Sequence, residues 1–111
     1  LPTHRLRLPV RSRDGVSDWR VDSVPSFPPD PQEHSEEAWG IEDPRLTWVE
    51  DRQEWIIAYT AFSPSGPLVS LARTKDFVTF TRLGPVMPPE DKDAALFPRR
   101  FGGRYALIHR P

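Results

Sequence analysis

Cysteine is absent from all 111 residues, which excludes disulfides, thiolate nucleophiles and Cys-ligated zinc. Long apolar runs are missing too. None approaches the roughly 18 residues a membrane-spanning helix needs, and Leu1-Pro2-Thr3-His4-Arg5 lacks the charged-then-apolar layout of a signal segment. The three histidines, His4, His34 and His109, stand far apart, so no metal-ligand spacing is legible and no metal site is expected. Charge of one sign is also lacking: 15 Lys+Arg against 16 Asp+Glu leave a net charge of −1. That balance is neither a basic nucleic-acid footprint nor an acidic tail, so partners are sought in site chemistry. Helical periodicity is nearly absent.

What is present is β-rich punctuation. The 14 prolines exceed the roughly 5% of average usage and are scattered among aromatic and β-branched residues. They separate short runs with strand character at 5–10, 46–49, 55–62, 68–72, 79–82 and 104–109, which predict an all-β chain. Residues 23–38 read as a long connecting loop whose end, Glu36-Glu37-Ala38, makes one helical turn. Loops of that length in compact domains are usually functional or disordered.

The chain also resembles itself. Val10-Arg11-Ser12-Arg13-Asp14-Gly15-Val16 returns 62 positions later as Ala72-Arg73-Thr74-Lys75-Asp76-Phe77-Val78. Asp43-Pro44-Arg45 followed by 55–59 is echoed by Phe97-Pro98-Arg99 followed by 105–109. Interleaved repeats of this kind predict a β-propeller, in which four-stranded blades bury their faces against neighbours; Arg11, Arg73 and Asp76 then belong to blade turns. A small β-sandwich with a fortuitous repeat is the competing reading. A propeller closes with roughly four to eight blades and this chain holds about two, so it is expected to be part of a larger ring, incomplete at both ends.

Gly40-Ile41-Glu42-Asp43-Pro44-Arg45 packs two carboxylates, a rigid turn and a guanidinium into six residues where the chain enters a strand. Alone, it reads more readily as a surface turn with a local Asp–Arg pair. Lys92 lies between Asp91 and Asp93, and His109-Arg110-Pro111 delivers a basic pair at a strand end. Strand-end charges of successive blades converge on one central pocket. Tyr59 supplies either an aromatic wall to that pocket or plain core. Carboxylates, arginines and aromatics around a concave all-β site suit carbohydrate chemistry.

With Trp39 to Arg45, Tyr59-Thr60-Ala61-Phe62 with Gly66-Pro67, Thr74-Lys75-Asp76-Phe77, Lys92 to Pro98, and His109-Arg110-Pro111 in this order, the chain resembles glycoside hydrolase family 130. These are five-bladed β-propellers that include β-mannoside phosphorylases and some β-mannosidases. The resemblance implies that Asp43 is the proton donor to the glycosidic oxygen, through a hydroxyl of the mannose itself. It implies that Lys92 and Arg110, with His109 adjacent, hold inorganic phosphate, which attacks the anomeric carbon with inversion. Glu42, Arg45, Asp91 and Tyr59 are the candidate substrate contacts, with Glu42 alternatively pairing with Arg45. No cofactor is implied beyond phosphate as co-substrate. The implied partners are a β-mannoside oligosaccharide, the remaining blades and a second copy of the chain, with no nucleic acid or membrane, and the implied compartment is the cytoplasm. One position departs: many phosphorylases carry Arg-Asn before the Lys-Asp pair, whereas this chain has Glu90-Asp91. Acids there repel phosphate and point to a hydrolase or a non-catalytic sugar-binding propeller as alternatives.

Overall fold

The computed structural model describes residues 8–111, so the portion of the expected 5–10 strand before Leu8 lies outside the described residues. The described chain is all-β, with eight strands and two single turns of 3-10 helix. The strands are β1 (Val10–Arg11), β2 (Arg20–Val21), β3 (Gly40–Val49), β4 (Glu54–Phe62), β5 (Leu68–Thr74), β6 (Phe80–Met87), β7 (Lys92–Leu96) and β8 (Leu107–Arg110). They form three antiparallel sheets: β1-β2, then β3-β4-β5-β6, then β7-β8. The middle sheet is one whole four-stranded blade, and the flanking pairs are the outer half of the blade before it and the inner half of the blade after it. Two blades' worth of strands are thus divided as half, whole and half.

Alternation along β4 and β5 gives the middle blade two apolar faces. Ile57, Tyr59 and Ala61 pair with Ala72, Ser70 and Leu68. Most of these residues form one buried cluster with Ile41, closed by Phe27 and Phe80. On the other face Ala58 and Val69 pack with Ala94 of β7, joined by Leu71, Met87 and Leu107. A sheet covered on both sides needs apolar residues at consecutive positions, which explains why the 55–62 run is nearly continuous in hydrophobicity.

The stretch between β2 and β3 is fastened from within. Glu37, in the 3-10 turn Ser35–Glu37, is fully buried. It accepts from Tyr59 Oη at 2.8 Å and from Arg82 Nε and Nη2 at 2.9 and 2.8 Å. Arg82 also donates to the Pro28 carbonyl at 2.7 Å and lies 4.2 Å over the Phe27 ring. Burial, reinforced by the Glu37 carboxylate, pushes the Tyr59 phenol above its ordinary range, so it stays a donor.

The first repeat is reproduced atom by atom. Ser12 and Thr74 hydroxyls donate to the Ser17 and Thr79 carbonyls at 2.6 and 2.7 Å. Asp14 accepts from the Val16 and Ser17 amides, and Asp76 from the Val78 and Thr79 amides, at 2.8 to 2.9 Å. Gly15 and Phe77 share a left-handed backbone, φ 74° and 55°. Arg11 Nη2 donates to the Phe77 carbonyl at 3.2 Å, linking one turn to the next blade's.

Three sequence expectations are corrected. The strand expected at 46–49 begins at Gly40 and the one at 79–82 runs to Met87, because both are edge strands of the middle sheet and tolerate Pro44 and Pro85. The Pro-Arg echo is out of register: Pro44-Arg45 lies inside β3, whereas Pro98-Arg99 follows β7.

Glu37→Gln removes the charge that Arg82 needs and is expected to lower stability of the full-length protein by about 2 kcal/mol, read from urea unfolding. The amides at Asp14 and Asp76 hold both carboxyls below their ordinary range. A lowered folded value contributes stability above the unfolded value of about 4 and loses it as pH falls through the folded value. Asp76→Asn is therefore expected to flatten the acid dependence of amide exchange at Val78 and Thr79, most visibly at low salt, since both acids are exposed.

Candidate functional site

The residues singled out in the sequence lie on the first two strands of two successive blades, with Asp91 just before β7. In the middle blade Glu42 pairs with Thr60 and Arg45 with Ala58, so Asp43 and Pro44 together oppose Tyr59. In the next blade Lys92 pairs with Arg110 and Ala95 with Ile108, so Asp93 and Ala94 together oppose His109. Both are β-bulges, two residues against one, and Asp43 and Asp93 adopt the same left-handed backbone at φ 53° and 55°. The blades are therefore related by 50 positions here: Glu42 corresponds to Lys92, Asp43 to Asp93, Tyr59 to His109 and Thr60 to Arg110. Thr47 Oγ1 donates to the Leu96 carbonyl at 2.9 Å, tying β3 to β7.

Aspartate suits the bulge because its short polar side chain tolerates φ > 0 where β-branched residues do not. Asp43, Pro44 and Arg45 are exposed, on a strand that has no sheet neighbour on one side. Lys92, Asp93 and His109 are half-buried and Arg110 is exposed. Arg110 is ion-paired with Asp93. The middle blade thus contributes an exposed acid, and the next contributes two cations and an imidazole at the corresponding level.

Two candidate substrate contacts are sealed instead. Tyr59 is 3% exposed with its hydroxyl on Glu37. Asp91 is also 3% exposed, and its Oδ2 meets His109 Nδ1 at 2.6 Å. Sequence reasoning missed Glu37, Arg82 and the pairing of Asp91 with His109. Glu37 carried only a helical-turn signal, and its partners are 22 and 45 positions away.

Two hollows bear on the site without reaching Lys92, His109 or Arg110, and the apolar one is walled in part by Glu42, Pro44 and Tyr59 of the first bulge. An apolar one of about 460 Å³ separates β1 from the middle sheet, lined by Leu8, Val10, Phe27, Ile41 and Phe80, with Glu42 at its edge. In a closed propeller the inner strands of the preceding blade fill that position. A wider polar one of about 640 Å³ lies at the other end of the middle sheet. Its arginines already have acids: Arg52–Glu54 at 2.7 Å, Arg73–Glu54 at 3.8 Å and Arg100–Asp51 at 2.7 Å. Ligand atoms of His34, Glu36 and Glu37 approach within 4.8 Å, but both Glu37 oxygens are committed to Arg82 and Tyr59.

Residues 11–111 match the family model described as beta-1,4-mannooligosaccharide phosphorylase. The chain belongs to glycoside hydrolase family 130. It is 34% identical over 102 residues to the beta-1,2-mannobiose phosphorylase of Listeria innocua, covering 92% of this chain and 27% of that protein. It is 31% identical over 103 residues to the beta-1,4-mannooligosaccharide phosphorylase of Ruminococcus albus, covering 90% and 30%. The Listeria enzyme's structure in complex with beta-1,2-mannobiose aligns with a TM-score of 0.78 at 32% identity, over 92% of this chain and 27% of that one. A glycosyl hydrolase from Bacteroides ovatus aligns with a TM-score of 0.77 at 20% identity, a likeness of fold alone. The chain therefore carries about two blades of a five-bladed family 130 propeller and spans 27–30% of these two relatives' length.

The shared bulge makes a specific demand at position 43. Asp43→Asn keeps a residue that tolerates φ > 0 and is expected to leave unfolding unchanged, whereas Asp43→Val is expected to cost about 1–2 kcal/mol by urea unfolding of the full-length protein.

Proposed function

We propose that the protein carrying this chain is an inverting β-mannoside phosphorylase that converts phosphate and a β-mannoside into mannose 1-phosphate. The observation that carries this reading is the bulge shared by β3 and β7, which gives an exposed acid on one blade and the strand pair bearing Lys92, His109 and Arg110 on the next equivalent positions in their sheets. Relatives at 31–34% identity named as mannoside phosphorylases support it.

In this reading Lys92 and Arg110 hold phosphate as a point charge and a planar donor fork, and His109 Nε2 accepts from the O–H that the phosphate retains. A phosphate oxygen forms the new bond to the anomeric carbon on the face opposite the glycosidic oxygen, and the old bond breaks. Asp43 supplies the proton the leaving oxygen takes, relayed by a mannose hydroxyl, and the proton released from the new phosphate ester restores the acid. One carboxyl suffices because the nucleophile arrives ionised, whereas water needs a protein base. No cofactor enters, and the cytoplasm, where inorganic phosphate is plentiful, is the proposed compartment. The hydrolase alternative drew on Glu90-Asp91 as phosphate-repelling acids, and Asp91 is buried against His109.

The test is sugar release from β-1,2- and β-1,4-mannobiose by the full-length protein, with and without phosphate. Mannose 1-phosphate formed only with phosphate is expected; free mannose at the same rate without it sinks the reading. Asp43→Asn is expected to lower turnover at least about 100-fold with unchanged unfolding, the lower end of what a positioned general acid contributes.

A further inference from the structure

β7 contains a break in side-chain alternation that assigns Asp91 a task. In a regular strand Asp91 and Asp93 lie on one face, while His109 and Arg110, being consecutive on β8, point to opposite faces. Yet Asp91 meets His109 and Asp93 meets Arg110. The left-handed backbone at Asp93, inside the bulge between Lys92 and Ala95, turns the second acid over and separates the two pairs.

The pairs differ in environment. Asp93 and Arg110 are 28% and 63% exposed, a solvent-screened contact of small worth. Asp91 is 3% exposed against a His109 ring that is 32% exposed. The Asp91 amide donates to the Pro67 carbonyl at 3.0 Å, which fixes the backbone from which the carboxylate projects. Its Oδ1 is buried without a hydrogen-bond partner among the described residues. Leaving such an oxygen unpaired costs stability, so the arrangement calls for a return elsewhere.

The geometry points to Asp91 as a positioning residue that acts through His109, fixing which ring nitrogen faces the phosphate. An ionised carboxylate only accepts, so Nδ1 carries the proton and Nε2 is the ring atom left for a ligand. The carboxylate is sealed behind the imidazole and does not meet the anion. The acid that replaces the usual family residue before Lys92 thereby orients the site without repelling phosphate. This inference rests on the phosphorylase reading for its substrate and on the 2.6 Å contact for its geometry.

The experiment uses the full-length protein, with Asp91→Asn, His109→Ala and the double variant. Asp91→Asn is expected to raise the KM for phosphate about 10-fold, as loss of an orienting partner does elsewhere, while KM for mannobiose and the melting temperature stay unchanged. In the His109→Ala background it is expected to add nothing. Effects that multiply in the double variant, or an equal rise in both KM values, overturn the proposal. Nitrogen-15 NMR of His109 in the unmutated protein supplies a reading that needs no variant: the Nδ1–H form is expected, and a dominant Nε2–H form overturns it. If mannose is released without phosphate, the phosphorylase reading fails by itself. The same cycle is then read on kcat/KM for mannobiose, where multiplying effects still overturn the Asp91–His109 assignment.

Discussion

A single left-handed residue near the start of each inner strand is the constraint on which the rest of this arrangement depends. Asp43 and Asp93 both sit at φ close to +55°, each opposite one residue of the partner strand. Breaking the pleat there frees an acid from the alternation that would otherwise send it into a face of the blade. In the middle blade the freed acid is exposed at the sheet edge. In the next it turns toward Arg110, leaving Asp91 to His109.

The residue opposite the bulge shows how one repeat serves two ends. Tyr59 and His109 hold equivalent places, and each has its polar atom on a buried carboxylate: Glu37 for Tyr59, Asp91 for His109. Glu37 comes from the connection before the strand and is saturated by Arg82, so the first pair fastens that connection to the blade. Asp91 precedes its own strand and has an oxygen to spare. The shared backbone geometry belongs to the fold, and the change of residue from blade to blade supplies the chemistry.

Much of the fold was legible from local signals. The Ser12 and Thr74 turns were readable because every hydrogen bond in them joins residues within five positions of one another. The 55–62 strand announced itself through an apolar run interrupted only at Thr60. The true repeat between inner strands was hidden, since Glu42-Asp43-Pro44-Arg45 and Lys92-Asp93-Ala94-Ala95 share only aspartate, and the more conspicuous Pro-Arg echo lay out of register. What those strands have in common is a dihedral angle and a pairing pattern, and several residues satisfy both.

The sequence by itself determined the strand content, the turn chemistry and the identity of the charged residues, because these follow from propensity and short-range hydrogen bonding. Only the tertiary structure decided which charges are available. Asp43 and Asp91 are both acids near the start of inner strands, yet one is exposed and the other is 3% accessible against an imidazole 18 positions away. That division depends on which face of a sheet each side chain enters and on what the neighbouring blade lays over it, and both are set by contacts distant in sequence.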